Sequence, residues 1–252
     1  MKAMVLSAGF GTRLGELTRD APKPMLDVGG RPLLEHICLH LGSLGFDQIA
    51  VNLHFMPEAI RAHFGGGRRC GVDITYSYEP QLLGTAGGLK NVEDFFHDAD
   101  TLLVHYGDVL TDQDFAEMLA FHRRTSALAT MLVHRRERSN SVVGMDDDGR
   151  VTAFLERPSD EQRLTVDSPW VNSGVCICDR RVLELIPTKR PCDLARDVLP
   201  QLVAGGRLYG FPLTGYRCAV DSPLRLHEAR LAVATGRCQI PRPDLQRRNI
   251  AA

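Results

Sequence analysis

The sequence predicts an α/β protein. Short β-rich runs alternate with longer segments of helical period through the first half of the chain, and beyond Ala127 the rhythm changes to strand, turn, strand. Such alternation is the pattern of parallel strands joined by crossover helices, and the later rhythm is that of an inserted antiparallel ribbon.

Lys2–Ser7 reads as a first strand, apolar enough to be buried on both faces. A Gly-rich and Pro-rich loop leads to Pro32–Leu44, where Leu33, Leu34, Ile37, Leu41 and Leu44 share one helical face and Pro32 suits the first turn. Gln48–Leu53 is a second strand, Pro57–Phe64 a helix, Asp73–Tyr78 a third strand and Thr101–His105 a fourth, followed by a helix over Asp112–Arg124. Ala127–Val133, Val142–Met145 and Val151–Leu155 are strands, the last two joined by the hairpin signal Asp148-Gly149. Val171–Cys178 is a further strand, Asp179–Ile186 and Asp193–Val203 are helices, Leu208–Pro212 and Arg217–Asp221 are short strands, and Pro223–Ala234 is a last helix. No repeat and no linker divides the chain, so residues 1–238 read as one domain. The weakly periodic stretch 239–252, with Pro241, Pro243 and Arg247-Arg248, reads as an arm or a disordered tail.

Composition narrows the function. With 44% hydrophobic and 24% charged residues, the 252-residue chain can bury a sizeable core and is not of the disordered class. Thirty Lys+Arg against 31 Asp+Glu give a formal charge of -1, so no global basic field draws in nucleic acid. No apolar run has the length of a membrane span, and the segment Met1–Ser7 is too short for a signal-peptide core, so a cytoplasmic protein is expected. The seven cysteines are odd in number and scattered, without a C-x-x-C pair, and are expected to be reduced. His36 and His40 share a helix face but lack the glutamate of a zinc helix, and read as surface or partly buried residues.

The strongest chemical signal is Leu6-Ser7-Ala8-Gly9-Phe10-Gly11-Thr12-Arg13-Leu14, followed by Pro22-Lys23-Pro24. A strand that opens into two glycines lets backbone amides approach a phosphate, because no Cβ blocks the way. Arg13 and Lys23 add two cations, and the flanking prolines stiffen the segment that presents the lysine. A dinucleotide fingerprint needs a third glycine where the chain has Leu14, and none of the four lysines has the context of a P-loop. Nicotinamide chemistry is therefore disfavoured and a Walker-type grip is excluded. A second signal is the strand Leu103–Tyr106 running into Gly107-Asp108, since a carboxylate at a strand's C-terminal end faces the usual ligand crevice of an open α/β sheet. The alternative is an Asp that caps the following helix. A third is Glu79–Leu89, a loop entering a helix N-terminus with Thr85 near the cap.

Taken as a unit, G-x-G-T-R at 9–13 followed by Pro22-Lys23 resembles the signature of the sugar-1-phosphate nucleotidylyltransferases. The resemblance implies that Leu6, Ala8, Gly9, Phe10, Gly11, Thr12 and Arg13 wrap a nucleoside triphosphate, that Arg13 holds the departing pyrophosphate and that Lys23 neutralises the reacting phosphates. The strand ending in Gly107-Asp108 is similar to the family's metal-binding strand, with Tyr106 where an Asn is common, and makes Asp108 a Mg²⁺ ligand. Leu83-Gly84-Thr85-Ala86-Gly87 looks like the family's L-G-T-A-G segment, which implies base and ribose contacts from Gln81, Gly84 and Thr85 and favours GTP over dTTP.

Sugar-side residues follow from the same resemblance. Phe154-Leu155-Glu156-Arg157-Pro158 is similar to F-x-E-K-P, in which the acid binds sugar hydroxyls and the lysine, here Arg157, the sugar phosphate. Asn172-Ser173-Gly174 matches the N-x-G turn, and Gly144 joins Glu156, Arg157 and Asn172 in the sugar-phosphate set. The family's W-x-D-[IT]-G-T-P is replaced by Tyr216-Arg217-Cys218-Ala219-Val220-Asp221-Ser222-Pro223. Aligning the prolines puts Ala219 at the acid position, whereas aligning the acid selects Asp221 as second metal ligand and requires a shorter loop. Asp221 could instead cap the helix that follows.

The implied fold is a Rossmann-like mixed, mostly parallel sheet flanked by helices, with a small antiparallel sugar-binding subdomain. Its nucleotide-binding part covers about 1–125 and its sugar-binding part about 126–222. The implied reaction joins a nucleoside triphosphate to a hexose or heptose 1-phosphate, releasing pyrophosphate, and family members often form homo-oligomers. Two alternatives stay open: a non-catalytic nucleotide-sugar-binding regulatory subunit of the same fold, and a thymidylyl- or cytidylyl-transferring enzyme.

Overall fold

A computed structural model describes residues 1–188 and 190–240, so the expected arm over 239–252 falls almost wholly outside the described residues. In chain order the strands are β1 (Lys2–Leu6), β2 (Gln48–Leu53), β3 (Asp73–Tyr78), β4 (Thr101–Tyr106), β5 (Val109–Thr111), β6 (Ala129–Arg135), β7 (Ser141–Met145), β8 (Val151–Glu156), β9 (Trp170–Asp179), β10 (Leu208–Pro212) and β11 (Arg217–Ala219). The helices are α1 (Leu33–Ser43), α2 (Pro57–Phe64), α3 (Gly84–Lys90), α4 (Ala116–Arg124), α5 (Asp160–Arg163), α6 (Leu199–Ala204) and α7 (Pro223–Ala234). Among the described residues no helix is long and apolar enough to cross a membrane.

The chain forms two compact units. The first contains Met1–Pro80, Gly107–Gln113 and the described residues from Gly215; the second contains Gln81–Tyr106 and Asp114–Thr214. In the first, β1, β2 and β3 are parallel neighbours, in register from Lys2↔Gln48 to Leu6↔Asn52 and from Gln48↔Asp73 to Leu53↔Tyr78. α1 and α2 are the crossovers that parallel pairing demands. Ala3, Met4 and Val5 are fully buried, as expected of a strand covered on both faces, and Leu33, Leu34, Ile37 and Leu41 turn the apolar stripe of α1 inward. His36 and His40 depart from expectation, being buried as well. A histidine survives there because its ring nitrogen finds a carbonyl: His36 Nε2 lies 2.7 Å from Val28 O and His40 Nε2 2.9 Å from Gln113 O.

The helix expected over Asp112–Arg124 begins only at Ala116. Residues before it are committed elsewhere: β5 pairs antiparallel with β11, and the Asp112 carboxylate accepts from Tyr216 N and Gln239 N. Asp114, not Asp108, bonds the first turn of α4, through Ala116 N at 2.8 Å. α7 is capped by Ser222, whose Oγ accepts from Arg225 N at 3.3 Å, so Asp221 is not the cap.

In the second unit the strand order is β10-β6-β9-β4, with β10 and β6 parallel and β9 antiparallel to both of its neighbours. β7 and β8 form the expected hairpin. Its turn is closed by Asp146 Oδ1, which accepts from Asp148 N and Arg150 N, and by Gly149 at φ 79°. Two expected helices are tighter or looser than α: Arg180–Leu185 is 3₁₀, and Leu194–Val198 is a π turn that passes into α6.

Gly107 illustrates how backbone contact sets the site. Its N–H donates to Leu6 O at 2.9 Å, and a Cβ there would lie 2.5 Å from Ser7 Oγ and 2.6 Å from Leu6 O. Only glycine lets the segment carrying Asp108 approach the end of β1 so closely. Gly107→Ala is expected to cost about 1–3 kcal/mol, the usual scale of overpacking, read as a lower urea midpoint at an unchanged m-value.

Candidate active site

In the first unit the site grows from the end of β1. Ser7 N donates to Asn52 Oδ1 at 2.7 Å, and Asn52 Nδ2 donates to Glu79 Oε1 at 2.8 Å, with Glu79 only 1% exposed. A buried carboxylate thus orients an amide, and the amide fixes the first residue of the glycine bend. Asn52 and Glu79 were not among the expected site residues, although a polar Asn inside the apolar run Gln48–Leu53 was the available signal.

The two glycines serve different purposes. Gly11 adopts φ 68° and its missing Cβ would sit 3.0 Å from Thr18 Cγ2 and 3.1 Å from Lys23 Cβ, so protein packing and backbone conformation both require it. Thr18 Oγ1 reinforces the bend from Gly11 O and Gly15 O, each at 3.2 Å. Gly9 has ordinary φ and nothing within 4 Å of where a Cβ would stand, so protein contacts give no reason for the glycine there. Room beside its backbone is what an approaching anion needs. Phe10 is 46% exposed and rests edge-on against His54, ring centroids 4.9 Å apart, while His54 Nδ1 lies 2.7 Å from Glu79 O. Arg13 is exposed.

Lys23 lies between Pro22 and Pro24 in a short 3₁₀ turn, and its ammonium donates to Asp108 Oδ2 at 2.8 Å. Asp108 O in turn accepts from Val220 N at 2.7 Å, continuing the β5–β11 register that pairs Ala219 with Val109. The segments of Asp108 and Asp221 are thereby adjacent, and the structure brings together Lys23, Asp108 and the chain that carries Asp221.

In the second unit, Gln81 is exposed and leads to Gly84, the first residue of α3, at φ 76°. Thr85 Oγ1 does not cap α3: it donates to Asp193 Oδ2 at 3.0 Å and accepts from Leu194 N at 2.7 Å.

The residues expected on the sugar side, Glu156, Arg157 and Asn172, meet around Ser141. This residue pairs with Glu156 across the β7–β8 hairpin, and its Oγ accepts from Asn172 N at 2.9 Å; Arg157 N donates to Asn140 O. Asn172-Ser173-Gly174 is a bulge inside β9, not a free turn. Pairing jumps from Met131↔Cys176 to Val133↔Asn172, with Gly174 at φ 84° and its N–H donating to Asn172 Oδ1 at 2.9 Å. Gly144 sits in a crowded spot, since a Cβ would meet Thr152 Oγ1 at 3.2 Å and Ala153 Cβ and Val166 Cγ1 at 3.3 Å. Burial, and next the negative charge of Asp193, push the Glu156 carboxyl up to about 7 against the opposing pull of Arg157 and Arg196.

Residues 2–217 match the family described as nucleotidyl transferase. Among curated relatives, a UTP–glucose-1-phosphate uridylyltransferase of Synechocystis sp. is 38% identical over 221 residues, covering 82% of this chain and 56% of the relative. A mannose-1-phosphate guanylyltransferase of Mycobacterium tuberculosis is 36% identical over 225 residues, covering 88% and 61%. The chain therefore spans about three-fifths of the length of these relatives. Among solved structures, a putative glucose-1-phosphate thymidylyltransferase from Bacillus anthracis in complex with a sucrose superposes with a TM-score of 0.82 at 22% identity, covering 97% of this chain and 98% of that one. HddC from Yersinia pseudotuberculosis complexed with GMP-PN does so at 0.76 and 21%, covering 92% and 99%. The chain belongs to the nucleotidyl transferase family. It has the nucleotide-diphospho-sugar transferase fold, with the mixed sheet and flanking helices that its sequence predicts.

The raised Glu156 carboxyl has a consequence for stability. The folded state holds its proton more tightly than the unfolded chain does, so the favourable contribution is complete below about pH 4.5 and is lost as pH rises through about 7. Across that window wild-type protein should lose on the order of 3 kcal/mol relative to Glu156→Gln, measured as the difference between their urea stabilities at each pH. A pH-independent difference would contradict the assignment.

Proposed function

We propose that the protein is a sugar-1-phosphate nucleotidylyltransferase, making an NDP-sugar and pyrophosphate from a nucleoside triphosphate and a hexose or heptose 1-phosphate. The observation that carries this reading is the ammonium of Lys23 fixed on Asp108 in the same unit as a glycine bend that has open space at Gly9. A sugar-phosphate oxygen attacks the α-phosphorus, and the bond to the β-phosphate breaks to release pyrophosphate. The nucleophile is already an anion, so no protein nucleophile is required; the barrier lies in bringing two polyanions together, and positioning and charge neutralisation lower it.

The bend Leu6, Ala8–Thr12 binds the triphosphate through backbone amides, Arg13 takes the departing pyrophosphate, and Lys23 offsets charge at the reacting phosphates. Gln81, Gly84 and Thr85 contribute to base and ribose recognition, Thr85 through its backbone because its hydroxyl is engaged by Asp193 and Leu194. Glu156 and Asn172 take sugar hydroxyls, Arg157 the sugar phosphate, with Gly144 beside them. The nucleotide part is assigned to about 1–125 and the sugar part to about 126–222.

Asp108 and Asp221 suit Mg²⁺: both offer hard oxygen donors, their segments are held together by the Val220–Asp108 bond, and neither caps a neighbouring helix. When bound, the ion would supply charge neutralisation on phosphate oxygens. The L-G-T-A-G segment and the mycobacterial relative favour GTP, while the Synechocystis relative makes UTP the competing substrate.

Purified protein assayed for Mg²⁺-dependent pyrophosphate release with GTP, UTP, dTTP and CTP against mannose, glucose and heptose 1-phosphates should be active with at least one pair, GTP leading. No release with any pair would favour the non-catalytic reading. Lys23→Ala, Arg13→Ala and Asp108→Asn should each fold and lose on the order of 10²–10³ in rate, the scale of one preorganised charge. Wild-type turnover in any of them would remove that residue from its role.

A further inference from the structure

Asp193 lies outside every motif assigned above, yet it is bonded on several sides. Its Oδ2 accepts from Thr85 Oγ1 at 3.0 Å, its Oδ1 accepts from Arg196 N at 2.9 Å, and its own N–H donates to Asp197 Oδ2 at 2.7 Å. Thr85 Oγ1 also accepts from Leu194 N and bonds the Tyr106 phenol, so the hydroxyl is engaged inside this junction.

Backbone contacts fasten the same junction. Cys192 N donates to Leu83 O at 2.8 Å, while Ala86 N and Gly87 N donate to Cys192 O at 2.9 and 3.0 Å. At Gly84 a Cβ would sit 2.5 Å from Cys192 O, so the two backbones touch. The turn at Leu83–Gly87 therefore takes its shape from residues more than 100 positions later in the chain. The Leu194–Val198 turn also packs against β8, the strand of Glu156; after burial, the charge of Asp193 raises the Glu156 carboxyl, Arg157 and Arg196 oppose it, and both acids help to raise the Tyr106 phenol of β4.

We propose that Asp193 is a positioning residue: it opens the Leu194–Val198 turn, which packs against both α3 and β8, the strand of Glu156, and its side chain fixes the Leu83–Gly87 turn assigned to the nucleotide. The roles of those two partners rest on the function proposed above. The hydrogen bonds and the charge are separable. Thr85→Val removes the hydroxyl and leaves the charge of Asp193, whereas Asp193→Asn removes the charge and leaves one acceptor oxygen.

The test uses the full chain and two readouts that need no turnover. Amide hydrogen exchange at Ala86 and Gly87 should quicken about tenfold in Thr85→Val, the scale of one lost charge-assisted hydrogen bond. A ¹³C-carboxyl NMR titration, with Glu156 assigned through Glu156→Gln, should keep its midpoint near 7 in Thr85→Val and move clearly lower in Asp193→Asn. Exchange within twofold of wild type in Thr85→Val, or an unmoved Glu156 midpoint in Asp193→Asn, would overturn the proposal. In active protein the loss in Thr85→Val should fall on the KM for the nucleoside triphosphate and not on kcat; a loss confined to kcat would also overturn it. Because exchange and titration do not depend on catalysis, absence of pyrophosphate release would sink the proposed function without deciding the role of Asp193.

Discussion

The first unit is organised around keeping a lysine ammonium and an aspartate carboxylate 2.8 Å apart at the end of a buried parallel sheet. Each charge offsets part of the desolvation penalty that the other, partly buried, would otherwise carry unpaired. Each is aimed by backbone. Two prolines constrain Lys23, and Gly107 brings Asp108 against the end of β1 through a contact that no side chain could share. Such an arrangement would serve the proposed chemistry between two polyanions, where fixed charge must be in place before the reactants arrive.

The bend that follows β1 is held by a less obvious device. Glu79 is buried, and its bond to Asn52 orients the amide that fixes Ser7 N. Nothing in this relay would touch a phosphate, but a shift in it would move the amides that could. The second unit uses another solution: a bulge in β9 and a hairpin meeting it at Ser141 set Glu156, Arg157 and Asn172 near one another.

Legibility in the sequence followed the range of the interactions. β1, β2, β3, α1 and α2 were readable because their apolar periods are local, and the Asp148-Gly149 hairpin because turn chemistry is local too. Strand β5 was missed since three residues carry no period; only its partner β11, far along the chain, makes Val109–Thr111 a strand and delays α4 to Ala116. His36 and His40 were placed too near the surface because the carbonyls that satisfy them, Val28 O and Gln113 O, leave no mark in their own helix. Gly11, Lys23 and Asp108 stood out by residue type, whereas Asn52, Glu79 and Asp193 act through partners that only the fold supplies. The N-S-G motif was visible as a turn, but its nature as a bulge depended on the register of β6 against β9.

In the proposed reaction the Lys23–Asp108 pair is a resting arrangement that the substrate takes apart. A crystal structure of the protein with a non-hydrolysable nucleoside triphosphate and Mg²⁺ decides this. Phosphate oxygens are expected on the amides of residues 8–13, with the Lys23 ammonium on a phosphate and Asp108 turned to the ion. A bend left empty, or an Asp108 still bound to Lys23 with the nucleotide seated elsewhere, would contradict it.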